Sequence, residues 1–136
     1  MNILFYLLPK AQVEYVYDDF TIRQALEKME YHHYSTIPVI SHEGKYVGSI
    51  SEGDILWEIK RQNLSLTKCE RHPISKIVPF KKITPISADK DMDDLVDIII
   101  NQNFVPVVDD FDNFIGIITR KSVINFLTNE LNKRKS

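Results

Sequence analysis

Two stretches place a hydroxyl, a turn-forming glycine and charged side chains at matched spacing. Gly48-Ser-Ile-Ser51-Glu-Gly-Asp54 is answered 68 positions later by Gly116-Ile-Ile-Thr119-Arg-Lys-Ser122. In each, a short apolar run passes a glycine, reaches Ser51 or Thr119, and turns into helical spacing near Asp54 or Ser122. A strand-to-helix corner of this kind gathers a hydroxyl, unpaired backbone N–H groups and a helix N-terminus, a natural seat for an anion. The chemistry differs between the copies. Asp54 offers two acceptor oxygens, able to take both hydroxyls of a ribose, whereas Ser122 does not. Arg120 and Lys121 set two cations where the first copy has Glu52 and Gly53, suited to a phosphate. Plainer roles stand beside these: Asp54 as a helix cap, Ser51 and Thr119 as local backbone acceptors, Arg120-Lys121 as a solvated pair.

Other polar groups carry less. His32-His33 has no carboxylate or cysteine at metal-ligand spacing, Cys69-x-x-His72 has no second pair, and Asp109, Asp110 and Asp112 lack the glycine and terminal glutamate of a calcium loop. Neither a nucleophile elbow, a phosphate-binding P-loop nor a dinucleotide fingerprint occurs. With no readable base, metal or second nucleophile, the chain is expected not to be an enzyme.

The elements that must position the corners also repeat. Val13–Tyr17 has the composition of a strand, and Ile22, Ala25, Leu26 and Met29 form one stripe of a helix over Thr21–Tyr31, opened by a Thr21/Gln24 capping pattern. Strands follow at Thr36–Ile40 and Tyr46–Ile50 around Gly44, then a helix from Asp54 to Lys60. The order returns as a strand at Ile83–Ile86, a helix over Asp91–Asn101, strands at Phe104–Val108 and Phe114–Ile118, and a helix over Lys121–Leu131. Between the copies lies a proline-containing connector, Arg61–Lys82, rich in basic residues (Arg61, Lys68, Arg71, Lys76, Lys81, Lys82) and expected to hold one short helix. A duplication is thus the organising fact, with the halves dividing as 1–67 and 68–136. Repeats this small are marginal alone, so packing of sheet on sheet about a pseudo-twofold axis is expected, with two related clefts lined by the corners.

Composition fits an ordinary globular α+β protein of 136 residues, 43% hydrophobic and 26% charged. A net charge of −2 supplies no positive field for nucleic acid or an anionic membrane; only Lys133, Arg134 and Lys135 are locally basic. One cysteine precludes an intrachain disulfide and suits a reducing cytosol. The apolar opening Ile3–Leu8 is too short for a signal core, and no stretch approaches a membrane span, so a cytoplasmic location is expected.

Ser35-Thr-Ile-Pro-Val39 matched by Asn103-Phe-Val-Pro-Val107, in register with the two corner motifs, resembles a tandem pair of cystathionine-β-synthase (CBS) domains, the Bateman module, from about Pro9 to Leu131. Small stand-alone bacterial proteins of this kind are the nearest resemblance. It implies two β-α-β-β-α repeats and a regulatory module with no required cofactor, binding an adenine nucleotide such as AMP, ADP, ATP, S-adenosylmethionine or cyclic di-AMP. The family motif Gly-apolar-x-Ser/Thr-x-x-Asp carries over fully onto Gly48, Ser51 and Asp54, and partly onto Gly116, Thr119 and Ser122. Arg120 and Lys121 would add the phosphate contacts. The adenine face would come from Val13, Glu14 and Tyr15, from Ile83, Thr84 and Pro85, and from Tyr34, Ser35, Thr36, Asn103, Phe104 and Val105. A homodimer and an unidentified protein effector are further implications. The competing reading is a structural, dimerising pair with vestigial clefts.

Overall fold

The computed structural model describes residues 1–79 and 82–135; Phe80, Lys81 and Ser136, and with them part of the expected connector, lie outside the described residues. In chain order the elements are a 3-10 turn Ile3–Tyr6, β1 Leu8–Pro9, a 3-10 turn Lys10–Gln12, β2 Val16–Tyr17, α1 Ile22–His32, β3 Thr36–Ile40, β4 Tyr46–Ser51, α2 Glu52–Gln62 and α3 Leu66–Cys69. There follow a 3-10 turn Ile74–Lys76, β5 Ile86–Ser87, a 3-10 turn Met92–Leu95, α4 Val96–Ile99, β6 Phe104–Val108, β7 Phe114–Thr119 and α5 Arg120–Lys135.

Two compact units result, Glu14–Lys82 and Met1–Val13 with Ile83–Ser136. The division differs from the one expected at residues 67 and 68. The opening segment belongs to the unit of the second repeat, and the connector to that of the first.

In the unit Glu14–Lys82 the sheet order is β2-β3-β4, with β2 parallel and β4 antiparallel to β3. The expected α1 stripe is the one buried: Ile22, Ala25 and Met29 join Val16, Ile37, Val39, Ile50 and Ile55 in one core. Thr21 and Gln24 form the reciprocal capping box their spacing predicts. The connector completes this core with Cys69, Ile74 and Ile77. It is fastened by backbone bonds from Ile22 N–H to the His72 carbonyl and from Ile74 N–H to the Phe20 carbonyl, both 2.9 Å. Glu58 of α2, 5% exposed, lies 2.9 Å from His72 Nε2 and 3.4 Å from the Arg61 guanidinium. A carboxylate so buried must be paired, and these partners satisfy it.

In the other unit the order is β1-β7-β6-β5. Ile3, Met92, Leu95, Val105, Val107, Ile118, Val123 and Phe126 form the core. The opening segment does here what the connector does in its sister unit. Ile3 is fully buried, its N–H bonds the Lys90 carbonyl (3.1 Å), Met92 N–H bonds the Met1 carbonyl (2.9 Å), and Tyr6 meets Phe126 edge to face with centroids 5.9 Å apart. β1 pairs with β7, Leu8 to Ile117 and Pro9 to Gly116.

One expected helix is partly something else. Asp91–Asn101 begins as the 3-10 turn Met92–Leu95 and becomes α-helical only over Val96–Ile99. Asp93, Asp94 and Asp97 are weak interior helix formers, and Val96, Ile98, Ile99 and Ile100 include a crowded β-branched run. The buried stripe of Met92, Leu95 and Ile99 nevertheless persists.

Candidate functional site

β4 leads straight into α2 with Ser51 as the N-cap, and the corner closes on itself. The Ser51 hydroxyl accepts from the Asp54 N–H (3.0 Å), while Asp54 Oδ2 accepts from the Ser51 N–H (2.9 Å). Asp54 is only 6% exposed. The Glu52 N–H donates to the Ser35 carbonyl at 2.9 Å, and Thr36 pairs with Ser51 across β3 and β4. Ser35, Thr36, Ser51 and Asp54, chosen from the sequence, are therefore brought together. A pocket of about 550 Å3 opens beside them, between the end of α1 (Leu26, Met29, Glu30, His33) and Tyr34, Ser35 and Glu52. His33, with φ 58°, ends α1 in the left-handed conformation, and the following Tyr34 N–H returns to the Met29 carbonyl at 2.9 Å.

Glu14 and Tyr34 also meet: the Glu14 N–H donates to the Tyr34 hydroxyl at 3.4 Å. The Glu14 carboxylate sits 3.4 Å from Lys28 Nζ and 3.4 Å from His32 Nε2. Lys28 in turn donates to the Tyr15 carbonyl. Lys28 and His32 were not among the candidate site residues, although their i, i+4 spacing on α1 was the available signal.

The second corner repeats the backbone plan with different side chains. Arg120 N–H donates to the Asn103 carbonyl (3.1 Å), and Phe104 pairs with Thr119. Thr119 Oγ1 accepts from the Ser122 N–H (3.1 Å), and its hydroxyl donates to Ser122 Oγ (3.0 Å). The Arg120 guanidinium reaches the end of α4, where Nε donates to the Ile99 carbonyl (3.2 Å) and the second nitrogen to the Gln102 carbonyl (2.9 Å). Ile99 closes α4 and Gln102 lies in the turn after it, so Arg120 ties β7's end to that turn and has a structural task here whatever else it holds. Lys121 is exposed, as is Thr84, in the stretch before β5. Val105 is fully buried in the core, so any ligand contact there would run through its backbone. Val13 is buried in the unit of the opening segment.

Electrostatically the corners are opposites. The first turn of α2 carries Glu52 and Asp54, which already complement its positive helix end. That of α5 carries no acid and adds Arg120 and Lys121. The first corner presents carboxylate and hydroxyl acceptors; the second favours an anion. Among the described residues no group of three His, Cys, Asp or Glu side chains is disposed to hold a metal, and no helix is long and apolar enough to cross a membrane.

Two β-α-β-β-α repeats, each with a hydroxyl-capped corner after its hairpin, define a tandem α+β architecture. The CBS domain model matches residues 8–61 and 74–129, and the chain belongs to that family. Among solved structures, CbpB in complex with c-di-AMP is 27% identical with a TM-score of 0.88, covering 99% of this chain and 89% of that one. CbpB from Streptococcus agalactiae is 29% identical with a TM-score of 0.82, covering 93% and 80%. The uncharacterized protein MJ1225 of Methanocaldococcus jannaschii is 29% identical over 133 residues, covering 88% of this chain but 47% of its own length. The chain thus spans about half of that relative.

Proposed function

We propose that this chain is a regulatory module that binds an adenine nucleotide, cyclic di-AMP foremost, and passes its occupancy to a protein effector, working as a homodimer and without catalysis. The observation that carries the reading is the complete Gly48, Ser51, Asp54 corner in a chain that aligns over 99% of its length with a c-di-AMP-bound relative. Asp54 and Ser51 take the ribose at the first corner, and Lys121 with the α5 N-terminus attracts phosphate at the second. Glu14, Tyr34, Ser35 and Thr36 in the unit of the first corner, and Asn103 and Phe104 in that of the second, are the groups available to a base. For occupancy to become a signal, the ligand must bind one arrangement of the protein better than another.

The test is thermal unfolding against cyclic di-AMP, AMP, ADP, ATP, S-adenosylmethionine and GTP, in the parent and in Asp54→Ser. A ligand at 100 times its dissociation constant adds about 2.7 kcal/mol, so one adenine compound should raise the midpoint by several degrees and GTP should not. Asp54→Ser copies the second corner into the first. It retains a hydroxyl at the third helical position, costs under about 1 kcal/mol without ligand, and should weaken the nucleotide about tenfold or more. An equal midpoint shift in parent and variant would remove Asp54 from the ribose site.

A second reading has its own support: Ser51 and Asp54 already bond each other, and Arg120 is engaged by carbonyls, as a purely structural pair would have them. A tight dimer indifferent to every nucleotide would establish it.

A further inference from the structure

Glu14 and Tyr15, the two residues that lead into β2, are held to α1 by one lysine. Lys28 Nζ lies 3.4 Å from the Glu14 carboxylate, donates to the Tyr15 carbonyl and stands 5.2 Å from the centre of the Tyr15 ring. One turn further along α1, His32 Nε2 lies 3.4 Å from the same Glu14 oxygen. The Glu14 N–H in turn donates to the Tyr34 hydroxyl, and Tyr34 lines the pocket beside the first corner. Lys28, Glu14 and His32 are 30%, 33% and 32% exposed, whereas Arg23 and Glu27, paired on the same helix, are 57% and 64% exposed. An exposed pair of the latter kind fixes little. The sheltered cluster joins three pieces of chain: the entry to β2, the α1 helix and the turn before β3.

The second repeat lacks this cluster. At the offset of 70 that relates the two first helices, Glu14, Tyr15, Lys28 and His32 are answered by Thr84, Pro85, Ile98 and Gln102. No charge remains there, and the proline ring fixes its own φ. That repeat still builds its sheet and its core, so the fold itself does not demand the cluster. It occurs in the repeat whose corner is complete, with Asp54 where the other has Ser122.

We infer that Lys28 is a positioning residue for the base of a nucleotide at the first corner. It sets the backbone of Glu14 and Tyr15 and, through Glu14, the Tyr34 hydroxyl, before any ligand arrives. A hydroxyl that accepts from the Glu14 N–H keeps its own proton to give to a ring nitrogen of the base. Groups placed beforehand need not be ordered at the moment of binding, and the saving appears as affinity. Lys28 acts through these neighbours and not as a counter-ion to phosphate. This inference rests on the nucleotide-binding reading and adds to it the residue that holds the base-reading groups.

Isothermal titration calorimetry with cyclic di-AMP, AMP, ADP, ATP and S-adenosylmethionine tests it, on the parent chain, Lys28→Met, Lys28→Arg, Glu14→Gln and the double variant Lys28→Met with Glu14→Gln. Lys28→Met and Glu14→Gln should each raise the dissociation constant about tenfold. Their melting midpoints without ligand should stay within about 4 °C of the parent. Lys28→Arg keeps the cation and its donors, and should bind within about threefold of the parent. The double variant should bind about as weakly as either single one, because both changes open the same clamp. A parent that binds none of the five compounds overturns the nucleotide-binding reading, and this inference with it. A parent that binds one, with Lys28→Met and Glu14→Gln binding it equally well, overturns the inference alone. So does a loss in Lys28→Met that Glu14→Gln does not share, since Lys28 would then meet the phosphate itself. Losses that add in the double variant overturn it likewise, because the two side chains would then act separately.

Discussion

Tyr46 shows how a single residue can tie stability to pH. Its hydroxyl is 2.8 Å from that of Ser49, itself 4% exposed. Burial pushes the phenol up to about 12 from its usual 10, and the Ser49 hydrogen bond pulls only part of the way back. Below pH 10 the phenol is protonated whether the chain is folded or not, and the contribution is complete. Between pH 10 and 12 the unfolded chain releases that proton while the folded one keeps it, so stability falls with rising pH. The melting midpoint should therefore decline through this window. Tyr46→Phe should start about 1 kcal/mol lower at neutral pH, having lost the bond to Ser49, and should show a shallower decline. Some residue roles were legible in sequence and others were not, for a physical reason. Ser51 and Asp54 are neighbours in the chain, so their pairing follows from helix spacing. Arg120 serves the carbonyls of Ile99 and Gln102, and backbone acceptors leave no mark in side-chain identity. Glu58, amid charged residues, has the sequence signature of a solvated position. Its burial depends on His72, 14 residues away in a segment with little periodicity.

At the scale of elements, the hairpins β3–β4 and β6–β7 lie where alternation and turn residues put them, because local pairing decides them. The short strands β2 and β5 are two residues each, less than composition suggested, because only those residues find a parallel partner. β1 was not legible at all: Leu8-Pro9 becomes a strand only by reaching β7. That reach is close. A Cβ at Gly116 would lie 2.2 Å from the Leu8 carbonyl oxygen, at φ +154°, whereas nothing described lies within 4 Å of one at Gly48. Gly116→Ala should thus cost about 1–3 kcal/mol or more by overpacking. Gly48→Ala should be within about 0.5 kcal/mol of neutral. Chemical denaturation of the two variants compares them directly, and equal losses would contradict the tight β1–β7 contact. The cations ending α5 have a plain role at this scale, complementing the negative end of the helix.

For the whole molecule, the sequence repeat and the folded unit are not the same stretch of chain. The repeat was legible because its motifs recur in register. The exchange of leading segments was not, because Ile3 and Ile74 sit in short 3-10 turns with no extended periodicity. Both nevertheless fill a core, at 0% and 4% exposure. Ile3→Ala should cost about 2–5 kcal/mol, and the loss should fall on the unit containing Ile83–Ser136. Hydrogen exchange should show faster exchange in β6 and β7 than in the parent chain, with β3 and β4 keeping their protection. Faster exchange confined to β3 and β4 would contradict the assignment of the opening segment.

That assignment also fixes an order of birth. The core residues of the unit Glu14–Lys82, from Val16 to Ile77, emerge from the ribosome as one continuous stretch. The opening residues emerge before them but must wait, since Asn2 bonds the carbonyl of Ala88, 86 positions downstream. At roughly 5–20 residues per second the wait lasts roughly 4 to 17 seconds. Through that interval Ile3 and Leu7 are apolar groups without a core. The unit whose opening segment is made before the other unit is finished after it, and that segment is the stretch for which a chaperone or a premature neighbour would compete.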